Sequence, residues 1–200
     1  MEEEHNPEAS QDRIEIPHTF YSHNTKEPFT HCIECDKYLL EDGVHYGVEK
    51  VIRKYPLNNT TDVIFEYAIC LDCMLRMQSE FSEESSRKLQ EYMMRHMDIK
   101  AMKKKLIEGE GKDVDTWLAR CAITDELIED QEEYTIHAHF EGNKMLTTVP
   151  PHAFGARALE EMTDLLSAET LGFYDDFMGR HFSGPPEIEE ILKGRKPVLF

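Results

Sequence analysis

Cys32-Ile-Glu-Cys35 and Cys70-Leu-Asp-Cys73 are the two stretches on which the reading of this chain turns. Two Cys-x-x-Cys pairs supply four thiolates, enough to fill every position around a tetrahedral ion. Cys32, Cys35, Cys70 and Cys73 are therefore expected to hold a structural Zn²⁺ with no position left open for substrate. Iron held by the same four sulfurs, or a redox dithiol, is the competing chemistry. The redox option lacks the βαβ surroundings of a thioredoxin-type pair. No catalytic or cofactor-binding residue is assigned here. The fifth cysteine, Cys121, reads as a small buried residue, the usual fate of a free thiol.

The 200 residues are 40% hydrophobic and 31% charged, ordinary for a soluble chain able to bury a core. The Met-Glu-Glu-Glu start is unlike the basic head of a signal peptide, and no apolar run is long enough for a membrane span. Together with unpaired cysteine usage this predicts an intracellular, cytoplasmic protein with no membrane partner. The formal charge of −18 disfavours a broad nucleic-acid surface, which needs clustered Lys and Arg. The charge is unevenly spread. Residues 31–112 carry 13 basic and 15 acidic side chains, whereas 113–200 carry 7 and 18. The acidic half suits solubility, or a partner protein with a basic surface.

Along the chain, 1–12 reads as a disordered acidic tail and 13–30 as an extended lead-in punctuated by Pro17 and Pro28. Val44–Arg53 and Val63–Ile69 have strand patterning, with Pro56-Leu57-Asn58-Asn59 as the hairpin loop between them. Leu71, Met74, Leu75, Met77 and Phe81 give the second cysteine pair a helix to open. Ser82-Glu-Glu-Ser85 offers an N-cap for one long helix running to about Glu108, whose last turns gather Lys100 and Lys103–Lys105. Residues 109–113 are the linker. Residues 183–200 read as a tail with a Pro-started short helix and an apolar end.

The second half repeats the first. Cys32-Ile-Glu-Cys35-Asp36 aligns with Cys121-Ala-Ile-Thr124-Asp125 at an offset of 89, and Tyr46-Gly-Val with Tyr134-Thr-Ile at 88. Ser82, Glu84, Met93 and Arg95-His96 align with Ser167, Glu169, Met178 and Arg180-His181 at 85. Ordered, near-constant offsets predict an internal duplication. In the second copy Cys35 becomes Thr124, Cys70 becomes Gly155 and Cys73 becomes Ala158, so it cannot hold the same ion. It must rest on its own apolar side chains, among them Trp117, Tyr134, Ile136, Phe154, Met162 and Phe177, and on docking against its neighbour.

A strand pair between the two cysteine pairs, with the second pair opening a helix, resembles a treble-clef zinc finger over residues 30–82 and more loosely over 119–166. The interval from Cys35 to Cys70 is long for a compact four-cysteine site, which an enlarged hairpin would accommodate. The resemblance implies an α+β protein: two tandem ββα-type units, each extended by a further helix, spanning 13–108 with metal and 114–182 without. Activity stays open, since treble clefs carry many functions. The expected role is a non-catalytic protein–protein adaptor. A nucleic-acid-associated protein or treble-clef nuclease is the alternative, with Lys50, Arg53, Lys54 and Lys100–Lys105 as its basic patch. A metal-dependent hydrolase is a second alternative, because His137 and His139 fall on one face of a strand and His152 lies near in sequence.

Overall fold

The computed structural model describes residues 12–58, 60–108 and 113–182, with backbone alone for 105–108. Residues 1–11 of the expected 1–12 tail, 109–112 of the 109–113 linker and the C-terminal segment 183–200 lie outside the described residues. The fold is mixed α and β: strands β1 (Arg13–Glu15), β2 (His45–Tyr55), β3 (Thr60–Cys70), β4 (Glu133–Glu141), β5 (Lys144–Leu146) and β6 (His152–Gly155). The helices are α1 (Leu71–Ser79), α2 (Glu83–His96), α3 (Ile99–Glu108), α4 (Val114–Trp117), α5 (Ala156–Thr163) and α6 (Ala168–His181).

All six strands join one sheet in the order β1-β5-β4-β2-β3, with β6 also paired to β4. The two halves are thus continuous through the antiparallel β2–β4 ladder, where Tyr46 faces Phe140 and Arg53 faces Glu133. A two-stranded hairpin leaves a row of unpaired backbone groups on its edge, and pairing β2 with β4 removes both inner edges at once. Local periodicity carries no signal for this pairing of strands distant in sequence.

One face of the sheet takes the odd positions of β2 and β3 and is covered by helices. Phe177 of α6 meets the Tyr67 ring at 5.6 Å, and Phe182 meets Phe65 at 5.0 Å. The other face takes the lead-in: Phe20 packs on Phe140 at 5.6 Å, and Phe140 stacks on Tyr46 at 5.1 Å. Lys50 reaches the carbonyls of Thr19 and Tyr21 from this face at 3.2 and 2.6 Å and pairs with Glu66 at 3.2 Å, both side chains buried.

Two features differ from the sequence reading. The single helix expected from 83 to 108 is broken into α2 and α3, because Met97 turns extended and Asp98 accepts a hydrogen bond from the Ala101 amide at 2.9 Å, as an N-cap does. Met97 is buried, so the apolar periodicity runs unbroken across the gap. The strand matching β3 is split into β5 and β6, with Pro150-Pro151 directly before β6. Proline cannot donate to a ladder, which ends pairing there.

The matching positions adopt matching geometry. Cys32 N–H donates to Lys37 O at 2.9 Å and Cys121 N–H to Glu126 O at 2.9 Å; Asp36 and Asp125 both have positive φ, 59° and 57°. Cys70 and Gly155 are the N-caps of α1 and α5, and Ser82 and Ser167 those of α2 and α6. Contacts between the halves are reciprocal. Glu49 and His137, which correspond, face each other across β2 and β4. Ser82 and Ser167 hydroxyls lie 2.9 Å apart, flanked by Ser82 N–H to Thr170 Oγ1 at 3.1 Å and Ser167 N–H to Ser85 Oγ at 2.8 Å.

Candidate metal centre

The first cysteine pair sits on a tight turn closed by Cys32 N–H to Lys37 O and Asp36 N–H to Cys32 O, both 2.9 Å. The turn requires a left-handed residue, and Asp36 is among the few side-chain types that adopt this conformation readily. Cys70 ends β3 in extended conformation and Cys73 lies in the first turn of α1. The four sulfurs come within 4.8 Å of one another, the only His, Cys, Asp or Glu group among the described residues placed to hold a metal ion. Cys35 and Cys70 sulfurs are 3.7 Å apart. A tetrahedron of thiolates at about 2.3 Å from a central ion has edges of roughly 3.8 Å, so the donor set fits.

The surroundings favour a thiolate cluster only in part. Burial pushes the Cys70 and Cys73 thiols up. At Cys35 the same upward push of burial is outweighed by hydrogen bonds from the Lys37 amide and the other three thiols, which leave it lowered. Cys70 N–H donates to Cys32 Sγ at 3.4 Å and Arg76 reaches Cys73 Sγ at 3.3 Å. A divalent ion supplies the positive charge that four crowded sulfurs need in order to ionise together.

Glu34, inside the first pair, gained no role from sequence reasoning. Its buried carboxylate accepts from His181 Nε2 at 2.7 Å and lies 3.3 Å from Arg180 and 3.8 Å from Arg76. The end of α6 is thereby fastened to the first cysteine turn. The signal was the repeated Arg-His pair at 95–96 and 180–181, which reads as helix-end chemistry unless its carboxylate is known. The second turn has Ile123 at the matching position and Thr124 where Cys35 stands; Thr124 N–H donates to Cys121 Sγ at 3.5 Å. This turn keeps its shape with a single thiol.

His137 and His139 do share a face of β4, ring centroids 4.8 Å apart, and β6 brings His152 to 5.2 Å from His137. His152 Nδ1–H donates to the Pro150 carbonyl at 3.0 Å. His137 Nδ1 and His152 Nε2 are buried without a hydrogen-bond partner. Burial pulls all three imidazoles down, His152 to about 4 from 6.5, so they are neutral near pH 7. A depressed folded-state value means the unfolded chain takes the proton first. His152 therefore stabilises the fold fully above pH 6.5, and that contribution is lost as pH falls towards about 4. In urea titrations, the stability difference between wild type and His152→Asn, which keeps a donor for Pro150 but cannot titrate, should shrink across that window by an amount on the order of 3 kcal/mol. A difference independent of pH would refute this assignment.

Of the basic residues named from sequence, Lys50 is buried, Lys54 Nζ donates to Ile128 O at 2.7 Å and Arg53 lies over the Tyr55 ring. No described helix is long and apolar enough to cross a membrane. Compared with protein-family models, curated proteins and solved structures, the chain matches none.

Proposed function

We propose that this protein is a non-catalytic adaptor that binds another protein, stapled by a structural Zn²⁺ and built from two copies of one treble-clef-like module, of which only the first keeps the metal. The observation that carries the reading is the four-cysteine set itself. It is closed, has Cys32, Cys70 and Cys73 buried, and offers no position for a substrate or an activated water. Zn²⁺ is favoured because this ion takes tetrahedral thiolate sites without geometric demands of its own.

Duplication is supported by the matching turns, N-caps and reciprocal serine contacts. A second copy freed of metal ligands keeps its surface for recognition. A net charge of −18 suits a partner with a basic surface, and five free thiols suit a reducing compartment such as the cytoplasm.

Elemental analysis of protein purified without chelator should find one zinc and no iron per chain. The tagged full chain should capture a protein from its native cell that, once purified, re-forms a stoichiometric complex weakened by salt. Tight binding to DNA or RNA with no protein partner would replace this reading with the nucleic-acid one. A second metal equivalent, lost when His137 and His139 are replaced, would replace it with a hydrolase.

A further inference from the structure

The same place in the two halves is closed in one and open in the other. Beside the first cysteine turn, Glu34 fills the space against His181 and Arg180. Beside the second turn the matching residue is Ile123, and His96, the counterpart of His181, lies against Tyr92 at 4.6 Å as His181 lies against Phe177 at 4.9 Å. A cavity of about 740 Å³ opens there, between the α2–α3 junction and the turn at Cys121–Asp125. Its apolar lining includes Met102, Trp117, Ile123 and Pro150. Among the described residues, Asp98, Asp113 and Asp125 stand at its exposed rim with Arg120.

Each of these carboxylates retains acceptor capacity. Asp98 accepts from the Ala101 amide, Asp113 from the Asp115 amide and the Thr116 hydroxyl, and Asp125 Oδ2 lies 3.5 Å from Arg120. A carboxylate has about four lone-pair sites, so cations can still be bound at the rim. An apolar floor, an indole and a negative rim in a space of this size match a site for a cationic side chain with apolar neighbours.

We propose that this cavity docks an extended peptide segment of a partner protein carrying Lys or Arg flanked by apolar residues. The proposal rests on the protein-binding reading above and names the surface that does the binding. It has a built-in reporter, because Trp117 is the sole tryptophan of the chain.

The test titrates the full chain with three capped pentapeptides, Leu-Arg-Leu-Lys-Val and versions with Glu or Gln at both charged positions, while reading Trp117 emission. The basic peptide should give a saturable change, weakened at least about three-fold between roughly 0.05 and 0.5 M salt. Asp98→Asn, Asp113→Asn and Asp125→Asn together keep both caps and the left-handed turn, since Asn serves each role as Asp does. This triple variant should bind about five-fold or more weakly. Ala101→Phe, at an exposed lining position, should abolish the change. No saturable change, an equal response to the Glu peptide, or binding unaffected by Ala101→Phe would overturn the proposal. The titration needs no partner protein, so it fails separately from the adaptor reading. A purified partner held equally by wild type and Ala101→Phe would sink the cavity and leave that reading standing.

Discussion

Replacing Cys32 and Cys73 together by serine is expected to abolish metal binding and to unfold both halves in one transition. The two residues come from opposite sides of the site, one from the first turn and one from α1, so each pair is left with a single thiol, Cys35 and Cys70, too few to hold an ion. Structural zinc sites of this kind contribute apparent free energies of about 10–16 kcal/mol at neutral pH. Whole domains are stable by only about 5–15 kcal/mol. The loss is therefore of the size of the fold itself. It spreads because β2 leads from the first turn and carries β3 on one side and β4 on the other. Metal content, far-ultraviolet circular dichroism and hydrogen exchange at β4 amides would read the outcome. Protected β4 amides in a chain without metal would contradict the coupling.

Phe177→Ala is expected to lower stability by about 3–5 kcal/mol, or the melting temperature by roughly 10 °C, without removing the metal. The ring is fully buried and joins Tyr67 at 5.6 Å, His181 at 4.9 Å and Phe182 at 6.1 Å. It clamps α6 onto the sheet above Tyr67, whose hydroxyl donates to the buried Glu49 carboxylate at 2.7 Å. Loss of the ring leaves a void beside this buried hydrogen bond. Phe177→Leu should recover more than half of the lost stability, because volume is largely kept. Equal damage from both variants would mean that ring contacts, and not filling, dominate.

Much of the first half was legible because its signals are local. The paired runs around Pro56 to Asn59 announce a hairpin. Ser82 and Ser167 announce helix starts, and each hydroxyl accepts from the amide three residues on. That the four cysteines would come close enough to hold an ion was legible from spacing alone. What stayed hidden depends on distant contacts. No local pattern says that β2 will lie against β4, that Glu34 will meet His181, or that a cavity will open beside Ile123. The break at Met97 was hidden for another reason, since a buried methionine between two amphipathic helices keeps the helical rhythm intact.

The ladder from His45 to Arg53 against Glu141 to Glu133 also governs what happens when the chain is cut. Severed near residue 110, each fragment would carry a bare strand border that pairs with whatever strand it meets. Fragments made separately are prone to self-association, whereas fragments made together have each other's border as the best-matched partner. Proteolytic nicking between α3 and α4 should accordingly leave a molecule that still travels as one particle, with function and metal retained until the ladder itself is opened.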